Sequence, residues 1–343
     1  MRHCRTVLLA FASAALFALA TPASKLLLVE LPPFQLAGLL YLGAALGMLP
    51  LVLRQPAARL AGLDRANRRR LVGAIVAGGA VGPVLLLAAL RLAPAGSVSL
   101  LLNLEVAATA VLGASLFHEP LSRPGWMGAA GIAGAGALLA GGDWPGVAAA
   151  LLVAAACVCW GLDNHLTALI DGMTPAASTF WKGAAAGSVN LAIGITLAPL
   201  AANAWQIAAA LAVGALAYGA SIALYIHAAQ QLGAVRAQAV FATAPFIGAA
   251  LSFGVLGEPV TAQTLLAAAL LAASVWMLFS GAHGHVHQHS AVEHVHSHRH
   301  DDGHHDHIHP GASPATPHSH PHRHEAQVHA HPHWPDLHHR HSH

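Results

Sequence analysis

The chain has 343 residues, of which 56% are apolar and only 9% are Asp, Glu, Lys or Arg. A soluble domain carries charge on about a quarter of its residues, so this composition excludes an ordinary water-soluble protein. The net charge of +2 gives no indication of a nucleic-acid partner, and none is expected.

Long apolar stretches follow one another along the chain. A stretch of about 18 or more residues with few charges is typical of a membrane-spanning helix. The first stretch resembles a signal peptide, but its apolar run reaches Val29, so we expect it to be retained as a helix. Charges and turn residues predict ten spans, at 7–29, 34–53, 71–92, 95–117, 124–141, 145–169, 176–198, 204–230, 235–256 and 261–281.

The arginines indicate how these spans are oriented. Lys and Arg favour the cytoplasmic side of a membrane. Arginines lie before the first predicted span, between the second and third, after the fourth, and between the eighth and ninth. With ten spans and both termini in the cytoplasm, all of these groups are cytoplasmic, and Arg91 lies on the other side.

Two short sequence motifs each occur twice in similar form. LFHEPLS at 116–122 is followed by VLGEPVT at 255–261, an offset of 139, and YLGAALG at 41–47 matches WKGAAAG at 181–187, an offset of 140. The sequence therefore predicts two five-helix repeats, residues 1–141 and 142–281. Because five is odd, the second repeat enters the membrane from the opposite face, an arrangement typical of secondary transporters. The predicted fold is an all-α polytopic membrane protein built from two inverted repeats, followed by a tail.

The Glu-Pro pairs after the fourth helix of each half carry a family resemblance. Together with WGLDNHLT at 160–167 and FWKGAAAGSVN at 180–190, they resemble EamA-type members of the drug/metabolite transporter superfamily over residues 1 to about 281. The resemblance implies a carrier of small metabolites or drugs in the bacterial cytoplasmic membrane, often an exporter and often proton-coupled. It implies no enzyme activity and no required cofactor, and the sequence contains no Walker, HExxH, GxSxG or dinucleotide motif.

One acidic residue falls near the predicted bilayer centre, where an ionisable group costs about 2.5–3.5 kcal/mol. Glu105 lies midway along the fourth span, beside Asn103. Its counterpart at an offset of 139 is Ala244, immediately before the helix-breaking Pro245. Transporter sites lie at this depth and use interrupted helices. We therefore hypothesise that Glu105 exchanges a proton or contacts a cationic group; the alternative is a structural pairing with a lysine.

A second charged pair is predicted between the sixth and seventh spans. Asp163 and Lys182 each lie five to seven positions from the same membrane face, on helices expected to be adjacent and antiparallel. Removing one partner of a buried pair costs about 3–5 kcal/mol because the other charge is left uncompensated. A static structural bridge and a gating bridge are both compatible with this pattern.

Three further polar residues are candidates for a solute or proton pathway. Lys25 follows Pro22 in the first span, and either pairs with Glu30 or reaches inward to Glu105. Asn164 and His165 adjoin the predicted ion pair, and His165 is either a packing residue or a ligand.

Glycines spaced four apart predict close helix packing, since small residues allow backbones to approach in lipid. This packing could lie within one chain or between two, so a homodimer is one expectation. The pairs are Gly43 and Gly47, Gly78 and Gly82, and Gly183 and Gly187.

Residues 282–343 differ in character from the rest of the chain. They contain 23 of the 27 histidines and few large apolar residues, so we expect a disordered cytoplasmic tail. Neutral imidazole binds zinc, nickel, cobalt and copper, and the tail is predicted to bind such ions, either as a buffer or sensor or adventitiously. The candidate ligands include His283, His285, His287, His289, His294, His296, His298, His300, His304, His305, His307 and His309.

The tail raises a rival function, export of a divalent metal. A desolvated dication needs about four to six ligands. The predicted spans offer only Glu105, Asp163, His165 and His227, scattered over three helices. The metabolite carrier is therefore the favoured reading.

Overall fold

The computed structural model describes residues 2–54, 63–117, 121–141, 143–170, 173–232, 234–280, 284–288, 292–298, 318–324 and 328–332. Up to residue 280 these residues are helical. The α-helices of the first half are α1 (Arg2–Ala18), α2 (Ala20–Leu27), α3 (Pro33–Val52), α4 (Arg65–Ala74), α5 (Gly82–Leu92), α6 (Ala95–Leu101), α7 (Leu104–Leu116) and α8 (Arg123–Leu139). Those of the second half are α9 (Trp144–Ala168), α10 (Pro175–Leu197), α11 (Ala204–Val213), α12 (Ser221–Leu232), α13 (Ala234–Phe241), α14 (Ala244–Leu256) and α15 (Ala262–Ser280).

Eight helices among the described residues are long and apolar enough to cross a membrane. They are Thr6–Leu27, Pro33–Val52, Arg65–Leu92, Ala95–Leu116, Trp144–Ala168, Ala204–Tyr225, Gln238–Leu256 and Ala262–Phe279. The predicted fifth and seventh spans also form helices, but α8 has only 17 residues. The other, α10, has 23 residues and is less apolar, because it carries Lys182 and Asn190. The multi-pass helical character is confirmed, and a count of ten spans stays a prediction.

Short polar side chains begin five of these helices. Asp64, Ser122, Asp143, Thr174 and Asn203 each accept a hydrogen bond from the backbone N–H three residues later. Such N-caps satisfy one of the donors that a helix leaves unpaired at its start. Because these residues follow the turn sequences, the predicted boundaries agree with the observed ones to within a few residues.

Two long helices are interrupted at equivalent places. The first break, at Leu102 and Asn103, separates α6 from α7, and the second, at Ala242 and Thr243, separates α13 from α14. At the first break the N–H groups of Asn103 and Glu105 bond to carbonyls three residues back, at 3.1 and 3.0 Å. The breaks are 140 positions apart, so Glu105 aligns with Pro245 rather than with Ala244, which corrects the sequence alignment.

A widened π-helical segment occurs once in each half. The first π segment, Ile75–Val81, joins α4 to α5, and the second, Gly214–Ala220, joins α11 to α12. Each has seven residues, and their first residues are 139 positions apart. Such bulges are rare and are often found at functional sites.

The two halves pack against each other through matching helices. Helix α3 packs on α10, α6 on α14, and α8 on α15. Helices α5 and α7 of the first half pack on α9, and α12 and α14 of the second half pack on α1. The pattern is therefore preserved when the halves are exchanged. Ser13 and Ser221 tie α1 to α12, since each hydroxyl donates to the other's carbonyl oxygen at 2.8 and 2.9 Å.

Two of the three glycine pairs, Gly43/Gly47 and Gly183/Gly187, lie where helix backbones meet, whereas Gly78 and Gly82 face the side chains of Asp163 and Trp160. A Cβ at Gly183 would be 2.6 Å from the carbonyl oxygen of Tyr41, and one at Gly187 would be 2.7 Å from the backbone nitrogen of Leu42. These contacts join α10 to α3 within one chain, as small residues allow in lipid.

Replacing Gly43 with alanine should destabilise the fold by about 1–3 kcal/mol, the usual cost of overpacking. The added Cβ would overlap the carbonyl oxygen of Leu211, so α3 and α11 would have to separate. The measurement is the thermal unfolding midpoint of the purified protein in detergent. Gly254→Ala is the matched control, because no atom lies within 4 Å of its added Cβ. Equal midpoints for the two variants would contradict the packing argument.

The described parts of the tail are extended. Four strands are present, β1 (Gly284–Gln288), β2 (Val292–His298), β3 (His318–His324) and β4 (Val328–Pro332). Strand β1 pairs with β4 and β2 with β3, both antiparallel. A His-x-His pattern has the period of two that an extended strand requires. The disorder of the tail as a whole stays a prediction.

Candidate functional site

Glu105 lies in the first turn of α7, directly after the helix break, and is half-buried. Its Oε1 accepts a hydrogen bond from Nδ2 of Asn164 at 3.0 Å. The same amide group donates to the Thr109 hydroxyl at 3.3 Å. The interruption of the helix thus places a carboxylate at the interface between α7 and α9, where an exposed asparagine holds one of its oxygens. Two of the predicted pathway residues meet here.

Asn103 lies buried at the break between α6 and α7. The residue is fully buried, and its Nδ2 donates to the carbonyl oxygen of Leu100 at 2.9 Å. Its Oδ1 finds no hydrogen-bond partner in the part of the chain that the structure describes. A buried acceptor without a partner costs about 1–3 kcal/mol, so the interior of the first break holds an unsatisfied hydrogen-bond acceptor.

The predicted ion pair is confirmed. Nζ of Lys182 lies 2.6 Å from Oδ2 of Asp163 and 2.7 Å from Oδ1, and the Thr167 hydroxyl donates to Oδ1 at 2.8 Å. Both charged side chains are largely buried, with 17% and 9% of their area exposed. Asp163 immediately precedes Asn164, which donates to Glu105, so the ion pair and this carboxylate are linked through neighbouring residues of α9.

The ion pair packs against the two glycines of the first π segment. Asp163 lies directly against Gly78, where a Cβ would overlap its carboxylate, and the Lys182 stem lies against Gly79. The Gly78 carbonyl accepts hydrogen bonds from the Tyr41 hydroxyl at 2.6 Å and from Nε1 of Trp160 at 3.0 Å. A π-helical turn frees carbonyl groups from the regular ladder, and here side chains from α3 and α9 bind them.

His165 occupies a packing position. Its Nε2 lies 3.0 Å from the carbonyl oxygen of Thr109, and its ring stacks on Phe117 with centroids 4.3 Å apart. These contacts join α9 to α7, and the side chain is buried. The geometry favours the packing interpretation over that of a ligand.

Lys25 contacts neither of the acidic residues proposed for it. Its Nζ donates to the carbonyl oxygens of Leu90 and Ala93, at 2.5 and 2.9 Å, at the carboxyl end of α5. A cation is favourable there because the last carbonyls of a helix carry partial negative charge. The charge of Glu258 also acts on this ammonium group. A role for Lys25 in the pathway stays a prediction.

The second Glu-Pro pair has a partner that the sequence did not reveal. Glu258 accepts hydrogen bonds from the backbone N–H groups of Ala95 and Gly96, at 2.6 and 2.7 Å. Gly257, at a φ of 65°, turns the chain so that this carboxylate reaches the start of α6. The first pair, Glu119-Pro120, lies outside the described residues.

Pro245 belongs to the opposing break. Its carbonyl oxygen accepts a hydrogen bond from the Ser99 hydroxyl at 3.0 Å, which ties α14 to α6. The two interrupted helices are thus joined directly to each other.

Five aromatic side chains from four long helices pack together in one cluster. Tyr218 packs against Phe17 and Tyr41, with ring centroids 5.8 and 5.6 Å apart, and Phe241 packs against Phe17 and Tyr225 at 5.2 and 5.0 Å. The cluster contains all three tyrosines of the chain. Sequence reasoning missed this cluster, although the rarity of tyrosine was an available signal.

No group of three or more His, Cys, Asp or Glu residues that could hold a metal ion occurs among the described residues. Of the predicted tail ligands, His285, His287, His294, His296 and His298 lie on described strands. The remaining ones, His283, His289, His300, His304, His305, His307 and His309, lie outside the described residues.

Apolar helices, an intramembrane carboxylate and two interrupted helices define a membrane transporter of small solutes. The chain belongs to the EamA-like transporter family, which it matches twice, over residues 5–141 and 147–280. This confirms both the resemblance seen in the sequence and the presence of two repeats.

Among solved structures, the fold is similar to one described only as the crystal structure of a protein. The two chains are 20% identical, with a TM-score of 0.55, over 80% of this chain and 95% of the other. This likeness bears on the fold alone. No curated protein matches the chain.

Proposed function

We propose that the protein is a secondary active carrier that exports small metabolites or drugs across the bacterial cytoplasmic membrane, coupled to protons. The observation that carries the proposal is the placement of Glu105 at a helix break whose helix is bonded, through Ser99 and Pro245, to the interrupted helix of the other half. A carboxylate at this point can hold a proton or a solute, but not both at once. That exclusivity is the basis of exchange transport, and intramembrane carboxylates commonly serve proton relays.

The proposed architecture is ten spans in two inverted repeats, with both termini in the cytoplasm. Support comes from the positions of α8 and α10, from the exchange symmetry of the helix contacts and from the arginine distribution. Alternating access then consists of one repeat rocking against the other around the fixed centre. In this orientation, the Asp163–Lys182 pair lies towards the cytoplasm, and the Lys25 and Glu258 contacts lie towards the outside.

The tail is proposed to bind zinc, nickel, cobalt or copper through its histidines. It also supports a rival function, export of one of these metals, because a tail of this kind could collect ions beside the entrance. The described helices, however, hold no cluster of candidate metal ligands. The metabolite carrier therefore remains the better-supported function.

Vesicle transport tests the proposal. The purified full-length chain is reconstituted into liposomes with an imposed pH gradient, and amines, amino acids, antibiotics, Ni²⁺, Co²⁺ and Zn²⁺ are offered in turn. We expect at least one organic solute to move protons, as reported by a pH-sensitive dye. A parallel series lacks residues 283–343. Movement of metal ions alone, lost with the tail, would favour the rival function, and no movement of any solute would overturn the carrier proposal.

A further inference from the structure

We infer that the solute is a primary organic amine with an apolar or aromatic body and no carboxylate. The inference rests on the proposed carrier function and assigns the chemistry of its central site. Three features of the described residues carry it. They are two acceptor oxygens without donors, the pairing of both lysines with other groups, and an aromatic cluster that contacts Gly78, against which the Asp163–Lys182 pair lies.

The available polar atoms at the first helix break are acceptors. Asn164 donates to one oxygen of Glu105, and no described group donates to the other, Oε2. The buried Oδ1 of Asn103, two residues earlier, also lacks a partner. Acceptors of this kind are satisfied by N–H donors, and a protonated amine offers three of them with a compensating charge. A neutral or anionic solute would leave the carboxylate unmatched.

The charge balance argues against a carboxylate on the solute. The chain has only two lysines, and both are engaged. Lys182 donates hydrogen bonds to both carboxylate oxygens of Asp163. Lys25 donates to two carbonyl oxygens at the carboxyl end of α5. Arg70, at the α4 end of the long helix, donates to the carbonyl oxygen of Leu169 at 2.6 Å. An amino acid would have to displace one of these partners, whereas a simple amine would not.

The aromatic cluster supplies the apolar part of the site. Tyr41 connects the cluster to the site, because its hydroxyl donates to the Gly78 carbonyl oxygen and Asp163 lies directly against Gly78. Asp163 immediately precedes Asn164, whose side chain binds Glu105. Aromatic faces attract cations, worth about 0.5–2 kcal/mol, and also bind apolar bodies. The Tyr41 and Tyr225 hydroxyls already donate, to the Gly78 carbonyl oxygen and to Oε1 of Gln238, so these rings present mainly their apolar surfaces.

Binding of four compounds that share a phenethyl body tests this assignment. The probes are phenethylamine, phenylalanine, 3-phenylpropionate and trimethylphenethylammonium, titrated calorimetrically into the purified full-length protein in detergent near neutral pH. We expect phenethylamine to bind at least about tenfold more tightly than phenylalanine and 3-phenylpropionate, since a charge-assisted hydrogen bond is lost or opposed. The quaternary ammonium, which has a charge but no N–H donors, should bind with intermediate affinity.

Substitutions of Glu105 test whether phenethylamine binds to its carboxylate. Glu105→Gln should weaken phenethylamine binding at least about tenfold, whereas Glu105→Asp, which keeps the charge, should weaken it less. Glu30→Gln is the control, because that glutamate is exposed and distant in the fold. Gel filtration establishes that each variant is folded.

The outcomes separate this inference from the carrier proposal. Equal or tighter binding of phenylalanine or 3-phenylpropionate would overturn the amine assignment, as would phenethylamine binding that is unchanged in Glu105→Gln. Failure of every amine to bind would also overturn it. In any of these cases, movement of another organic solute in the vesicle experiment would leave the carrier proposal intact.

Discussion

Lys182→Met should lower the free energy of unfolding by about 3–5 kcal/mol, the usual consequence of removing one partner from a buried ion pair. The change removes the ammonium group that contacts both oxygens of Asp163 and leaves that carboxylate against Gly78. Only the Thr167 hydroxyl would remain as a donor to it. The measurement is reversible unfolding of the purified protein in mixed detergent micelles, followed by circular dichroism.

The double variant Asp163→Asn/Lys182→Met is the matched control. It removes both charges at nearly constant volume, and replacing a whole buried pair is often neutral. We expect it to lie within about 1 kcal/mol of the parent, because no uncompensated charge remains. A double variant as unstable as the single one would mean that the lysine acts through packing rather than through charge.

The same double variant separates the two roles left open for this pair. A structural bridge predicts a normal transport rate in the stable double variant. A gating bridge predicts a changed rate, because the energy that holds α9 to α10 in one conformation would be lost. Transport by reconstituted vesicles, normalised to the amount of folded protein, distinguishes the two.

Glu105→Gln should reduce the rate of proton-coupled transport roughly 10- to 100-fold, since a hydrogen bond to a charged group is worth about 1.5–3 kcal/mol. Glutamine can still accept a hydrogen bond from Asn164 through its amide oxygen, so the fold should persist. It can neither carry a proton nor balance a cation. The measurement is proton movement driven by the solute that the vesicle screen identifies.

Two comparisons make this prediction specific. Glu30→Gln removes an exposed acid and should leave transport unchanged. The pH dependence of residual transport should also disappear in Glu105→Gln. Unchanged rate and pH dependence would exclude Glu105 from the mechanism.

Much of the membrane part could be predicted from the sequence, because its patterns are local. Apolar length and turn residues predicted the helix positions, since a helix needs about 20 mainly apolar residues to cross the bilayer. The Asp163–Lys182 contact followed from counting residues inward from a shared face. The glycine contacts followed from spacing along one helix, which fixes the face on which small residues lie.

The site was predicted only in part, because its remaining contacts depend on three-dimensional packing. Tyr41 and Tyr218 lie far apart in the chain and meet only when α3 packs on the second π segment. Lys25 and Glu258 bind backbone groups. Because nearly every residue type has such groups, their partners could not be predicted from the residue types in the sequence. The correct alignment of the two breaks required their observed positions, because alanine-rich helices match at either offset.

The two π segments have a consequence for the history of this chain. Each segment accommodates a residue beyond the regular α-helical repeat, and the two lie at corresponding places, at Ile75–Val81 and Gly214–Ala220. A single insertion that preceded the duplication of one repeat would account for both.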